Sequence, residues 1–236
     1  MLKKTKAVLD LLAKDTFFKD NDVRFVGGTA LSFLINHRLS EDLDFAMLEL
    51  PKERITSMML GYGGVKRKHS DLIIDYTLND GEDIEDYHIM FDLNGVKIDF
   101  FVPPFNIKEK AVWENNPCTI YENTNIKVAA LETIFYMKIM AFWNRKKYRD
   151  VYDIYFVLST NINGYTAKKF IEEYIGFNIT FTKEDMQRKI QSTAEFHEKQ
   201  NDEGINTLVS KPKSYEWYRN KLEKMITNVY LAELYE

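Results

Sequence analysis

The apolar residues of the chain change period twice. From residue 3 to about 18 they recur at three- and four-residue intervals, with Ala7, Val8, Leu11 and Leu12 on one stripe, which predicts an amphipathic helix. Arg24-Phe25-Val26 is extended in character, and Gly27-Gly28 then allows a tight turn and close approach of a ligand to the backbone. Leu31, Phe33, Leu34 and Ile35 give a helix to about His37, with Thr29 placed to cap it. Asp42-Leu43-Asp44-Phe45 alternates, so in a strand both carboxylates point one way and both apolar side chains the other.

Pro51 suits the first turn of a helix reaching about residue 60, and Gly61-Tyr62-Gly63-Gly64 stops it. Residues 65–78, 87–93 and 96–102 read as strands, with Asn94-Gly95 as a type I′ hairpin turn and the acidic run 79–86 as a solvated loop. In the last of these strands Val96, Ile98, Phe100 and Val102 share a face, and Lys97, Asp99 and Phe101 share the other. Pro103-Pro104 closes the region, 108–116 is a polar connection, and 118–121 reads as one more strand. The helical interval returns over 126–143 and persists through a segment containing Arg149-Asp150-Val151-Tyr152-Asp153, then 166–175, 183–200 and 215–234. Thr182 with Asp185 forms a capping-box start, and Ser214 can cap the last helix, where Tyr218, Leu222, Met225 and Val229 recur at core spacing. The expected fold is α+β: a small mixed sheet flanked by helices over 1–122, followed by a helical bundle over 123–236.

Composition narrows the functional classes. The 236 residues carry a formal net charge of −4, so any nucleic-acid contact must come from a local basic patch, for which Lys66-Arg67-Lys68-His69 and Arg145-Lys146-Lys147 are the candidates. The single Cys118 excludes an internal disulfide and a cysteine metal site, and it suits a reducing cytoplasm. No apolar run is long enough to span a bilayer, and no signal peptide is evident.

Candidate chemistry concentrates at the glycine turn and the paired aspartates. Carboxylates held side by side repel unless a cation sits between them, and hard oxygen ligands with room for phosphate and water suit Mg²⁺. A glycine turn at a helix N-terminus offers backbone N–H groups to an anion. Asp42, Asp44, Gly27, Gly28 and Thr29 therefore suit a metal-bound nucleoside triphosphate. Asp99 is acidic within an apolar stretch, which is costly unless the group is paired or bound to a cation. It reads either as an edge-strand aspartate paired with Lys97 or an arginine, or as a third metal carboxylate or base. Lys138 and Arg145 lie on a stripe with Leu131, Ile134 and Ala141. The lysine can snorkel from such a stripe, or hold a fixed positive charge toward a triphosphate. Arg149 and Asp153 are spaced for an ordinary helix ion pair.

Gly27-Gly28-Thr29-Ala30-Leu31 followed by His37-Arg38-Leu39-Ser40-Glu41-Asp42-Leu43-Asp44-Phe45 resembles the first motif of the AbiEii/AbiGii toxin nucleotidyltransferases, of the polymerase-beta-like superfamily. A lysine-bearing helix followed by Asp-x-x-Asp resembles their later motifs, which places Lys138 at the motif lysine and Asp150 and Asp153 at the acidic pair. The resemblance covers roughly residues 24–158. It implies catalytic roles for Asp42, Asp44, Asp99 and Lys138, metal binding by the three aspartates, and nucleotide contacts from Gly27, Gly28, Thr29, Arg38, Ser40, Lys138, Arg145, Asp150 and Asp153. The implied cofactor is Mg²⁺ in a one- or two-metal site, with Mn²⁺ as a substitute. The implied activity is transfer of a nucleotide to RNA such as a tRNA 3′ end, in a toxin relieved by an antitoxin. Nucleotide transfer to protein, or a nucleotide-binding regulator without turnover, remain the alternatives.

Overall fold

The computed structural model describes residues 1–71, 74, 80–103, 113–145, 147–164, 166–176, 182, 184–185, 188–190 and 205–233. The chain divides into two compact units, Met1–Ile134 and Phe135–Glu236.

The first unit opens with α1 (Lys3–Leu12), which buries Val8, Leu9 and Leu12. The helix expected to reach residue 18 stops there and resumes as the short α2 (Phe17–Asp20). Asp15 explains the break: its carboxylate accepts the Phe17 N–H at 2.7 Å, an alternative to helical pairing that aspartate offers its own backbone. Phe17 and Phe18 then turn inward, onto Phe100 and Phe45 respectively.

Among the described residues seven strands form one mixed sheet: β1 (Arg24–Val26), β2 (Leu43–Ala46), β3 (Val65–Arg67), β4 (His88–Leu93), β5 (Val96–Phe101), β6 (Thr119–Ile120) and β7 (Lys127–Val128). Their order is β3-β4-β5-β2-β1-β7-β6. Pairing is antiparallel except between β2 and β5 and between β1 and β7. Between β1 and β2 lies α3 (Gly27–Ile35), and α4 (Lys52–Gly61) precedes β3 with Pro51 at its N-cap. One face of the sheet carries Phe25, Leu43, Phe45, Ile98, Phe100 and Phe91, all fully buried, with Phe45 stacked on Phe100 at 5.2 Å. This is the core, and its alternation in the sequence is what fixes the register.

The hairpin between β4 and β5 forms as expected, with Asn94 at φ 54° and Gly95 at φ 72°. The strand expected over 65–78 is shorter: it ends at Arg67, and a helical bond from Ile74 N–H to the Ser70 carbonyl follows. Residues 72, 73 and 75–79 lie outside the described residues, as do 104–112. The acidic run forms a 3₁₀ turn over Ile84–Asp86, started by Asp83 accepting the Glu85 N–H, and Lys52 pairs with Asp83 and Asp86.

The helix expected from residue 126 begins instead at Leu131. Lys127 and Val128 occupy a parallel slot beside Arg24 and Phe25, and the Ala129 N–H continues the ladder to the Phe25 carbonyl. Val128 is fully buried there. A two-residue strand of this kind leaves almost no period in the sequence, so the adjoining helical pattern hides it.

The boundary between the units falls inside α5 (Leu131–Asn144), which continues into the second unit. There it is followed by α6 (Tyr148–Thr160), α7 (Ala167–Gly176), α8 (Ile205–Leu208) and α9 (Tyr215–Glu233). On α9 the buried stripe is Tyr215, Tyr218, Leu222 and Ile226; Met225 and Val229, expected in it, are only half-buried. The stripe packs on α6, where Tyr218 meets Tyr152 and Tyr155 with ring centroids 5.0 and 5.4 Å apart. Ser214 caps α9 through the Trp217 N–H, and Thr182 and Asp185 bond reciprocally as a capping box. Most of the helix expected over 183–200 lies outside the described residues. No helix among the described residues is long and apolar enough to cross a membrane.

Candidate active site

The face of the sheet opposite the aromatic core carries the acidic residues. Val26, Asp44 and Asp99 are in register across β1, β2 and β5, and in-register neighbours share a face about 4.8 Å apart. Asp44 and Asp99 are thus direct neighbours on adjacent parallel strands. Asp42 lies two residues before Asp44, just outside β2, and is half-buried.

Gly27 makes room for this pair. Its φ is +73°, and a Cβ there would sit 2.0 Å from the Asp44 carboxylate oxygen, so the helix enters directly against the acid. A Cβ on Gly28 would meet the Arg38 guanidinium at 2.7 Å and the Ser40 hydroxyl at 3.3 Å. Arg38 and Ser40 are both buried, so the segment after α3 folds back over its first turn. Thr29, expected as the N-cap, is inside α3, whose N-cap is Val26 without a side-chain cap bond. The Thr29 hydroxyl instead donates to the Asp42 carbonyl, and it lies 2.8 Å from Ser40 Oγ. It ties the glycine turn to the acidic strand, while the first-turn N–H groups have no intrahelical partner.

The reading of Asp99 as an edge-strand aspartate is corrected in part: β5 is internal, between β4 and β2, but the pairing with Lys97 is present. Lys97 Nζ holds Asp99 Oδ2 at 2.5 Å, and His88 Nε2 stands 3.7 Å from Oδ1. Oδ1 is buried without a hydrogen-bond partner among the described residues. Burial pushes the Asp99 carboxyl up, but the His88 imidazole and the Lys97 ammonium outweigh that and hold it below its ordinary value. His88 was not singled out from the sequence, although counting back from the Asn94-Gly95 turn sets Met90 opposite Asp99 and His88 diagonal to it.

In the second unit Lys138, Arg145, Asp150 and Asp153 come together. Lys138 Nζ lies 3.0 Å from Asp150 Oδ1 and 2.7 Å from Asp153 Oδ2, and Arg145 Nε lies 2.7 Å from Asp150 Oδ2. The residues Lys138, Asp150 and Asp153 are 7%, 1% and 0% exposed, so Lys138 does not snorkel; two carboxylates satisfy it where it lies. Burial raises the Asp150 carboxyl, and the charges of Lys138 and Arg145 reverse this and leave it lowered.

Among the described residues no group of three or more His, Cys, Asp or Glu side chains is arranged to hold a metal ion. The donors that do stand together, Asp44 and Asp99 in register, are hard carboxylate oxygens. One of them is a buried oxygen still lacking a hydrogen-bond donor. This donor chemistry fits Mg²⁺, which commonly takes one or two carboxylates and completes its shell with phosphate and water.

The fold is that of the nucleotidyltransferases. It is similar to the crystal structure of an H. pylori protein provisionally assigned as a nucleotidyltransferase, at 16% identity and TM-score 0.56, covering 100% of this chain and 99% of that one. It is also similar to MenT4, a nucleotidyltransferase toxin of Mycobacterium tuberculosis, at 14% identity and TM-score 0.51, covering 93% and 80%. The sequence model of the nucleotidyl transferase AbiEii toxin family, of type IV toxin–antitoxin systems, matches residues 10–220, and the chain belongs to that family. No curated protein matches the sequence.

Proposed function

We propose that the protein is a metal-dependent nucleotidyltransferase that moves a nucleoside monophosphate from a triphosphate to RNA, such as a tRNA 3′ end, in a toxin restrained by an antitoxin. The observation that carries the reading is the in-register pair Asp44–Asp99 with Gly27 seated against Asp44. Asp42, Asp44 and Asp99 would hold Mg²⁺, with Mn²⁺ as a substitute, and the ion would supply charge neutralisation for the triphosphate and the leaving pyrophosphate.

The chain's own groups do the rest. Backbone N–H groups of Gly28 and Thr29 receive phosphate oxygens at the start of α3. Arg38 and Ser40, folded over that turn, confine the phosphates. The acceptor hydroxyl oxygen bonds to the α-phosphorus while the α–β phosphoanhydride bond breaks and pyrophosphate leaves. Asp99 Oδ1 accepts a hydrogen bond from that hydroxyl and orients it, and the proton passes to Asp99 or to water. Lys138 and Arg145 neutralise phosphate charge in this reading, with Asp150 and Asp153 fixing their positions.

The test is incubation of the pure protein with Mg²⁺, each α-labelled nucleoside triphosphate and total tRNA, beside an Asp44→Ala variant. Label in RNA that vanishes in the variant supports the reading and names the nucleotide. Label in protein redirects it to protein nucleotidylation, and triphosphate binding without any transfer leaves a regulator.

A further inference from the structure

The sheet register extends the acidic row beyond β5. Asp99 pairs with Met90 on β4, and Met90 pairs with Arg67 on β3, so Arg67, Met90, Asp99 and Asp44 lie in one row on one face. At about 4.8 Å per strand, Arg67 stands roughly 10 Å from Asp99 along the row. Lys66, its neighbour in sequence, pairs with Phe91 and faces the aromatic side of the sheet, where it is bound to Glu85 at 2.7 Å. Of the basic run, the register thus selects Arg67 for the acidic face. Arg67 is exposed on the edge strand, and no ion pair holds it among the described residues.

Met90 lies between Arg67 and Asp99 in the row, and His88 stands beside it on the same face. His88 and Lys97 share the face, with side chains 31% and 33% exposed, and Lys97 is already matched to Asp99. The acidic residue of this face on β4, Asp92, lies toward the other end of the strand, where its carboxylate accepts the Gly95 N–H. From the carboxylates toward Arg67 the face therefore offers the His88 imidazole and the Arg67 guanidinium, at the end of β4 away from Asp92. That is the complement of a phosphate backbone leading to a reacting hydroxyl.

We propose that this face of β3 and β4 is the track of the RNA acceptor, with Arg67 and His88 contacting the phosphates next to the end that receives the nucleotide. The inference rests on the transferase reading above and adds to it the direction from which the acceptor arrives.

The experiment compares wild type, Arg67→Gln, Arg67→Glu and Lys66→Gln in nucleotide transfer to RNA and in binding of a labelled single-stranded oligoribonucleotide across a salt series. Arg67→Gln is expected to raise KM for RNA about tenfold, and Arg67→Glu more. Triphosphate affinity is expected to stay as in wild type, and the salt slope of binding to fall by about 0.7 for the lost contact. Lys66→Gln, on the opposite face, is expected to behave as wild type, and circular dichroism confirms that each variant is folded. Wild-type transfer to RNA that is unchanged in both Arg67 variants, or an equal loss in Lys66→Gln, overturns the track and leaves the transferase standing. Transfer to protein alone, or no transfer with triphosphate still bound, removes the transferase-to-RNA reading and the track with it.

Discussion

At the residue scale, the site depends on what is missing from Gly27. Gly27→Ala introduces both a strained positive φ, costing about 1–3 kcal/mol, and a methyl group at the place of the Asp44 carboxylate. Gly28→Ala, by contrast, presses on the far end of the Arg38 side chain, which can move. Transfer activity and chemical-denaturation midpoints should therefore fall much further for Gly27→Ala than for Gly28→Ala; equal losses would show that Asp44 is not seated against the turn. Lys138→Met leaves Asp150 paired with Arg145 but takes the ammonium away from the buried Asp153, and should cost about 3–5 kcal/mol. The pH dependence has a definite sign. The Asp150 carboxyl is lowered by folding, so its contribution is complete above its unfolded pKa of about 4 and is lost as pH falls through the folded value. The stability gap between wild type and Asp150→Asn should accordingly narrow as denaturation is repeated from pH 7 down to about pH 3.

At the element scale, α3 is held to the acidic strand by a hydroxyl. Thr29→Val keeps the shape but leaves the Asp42 carbonyl without its donor, at a cost of about 1–2 kcal/mol, and should lower kcat by displacing Asp42. A Thr29→Ser variant should restore most of that loss. The sequence made this element legible in outline, because Gly27-Gly28 and the following apolar residues announce a turn and a helix. It did not reveal what Thr29 bonds to, since a threonine near a helix start looks the same as a cap or as a tether. The same contrast holds for strands. Asn94-Gly95 and the alternation of β5 gave the hairpin and the face of Asp99 directly, because their signals are local. Lys127–Val128 was hidden, because its strand character comes from a partner more than a hundred residues away and not from its own residues. Asp150 and Asp153 were legible as a motif, but their burial with Lys138 was not, since a helix pattern does not tell which polar residue turns inward.

At the scale of the whole molecule, the net charge of −4 means that the proposed contact with RNA would rest on local arrangement and would be sensitive to salt. Raising salt from 50 to 200 mM should increase KM for an RNA acceptor by a larger factor than KM for the triphosphate. Removal of divalent ions with EDTA should stop transfer and leave circular dichroism unchanged, with Mg²⁺ restoring activity; transfer that persists in EDTA would contradict the assignment of the three aspartates as cation ligands.

The parallel pairing of β1 with β7 also has a consequence for how the protein is born. The strands bearing Asp44 and Asp99 are complete once residue 101 has been synthesised, whereas the partner of β1 arrives only with residues 127 and 128. At roughly 5–20 residues per second, a growing chain spends a second or more with its carboxylates aligned and one flank of β1 unpaired, before Lys138 and Arg145 exist at all. Nascent molecules of this age are expected to be stickier than the finished protein, because β1 still offers an open flank to other strands.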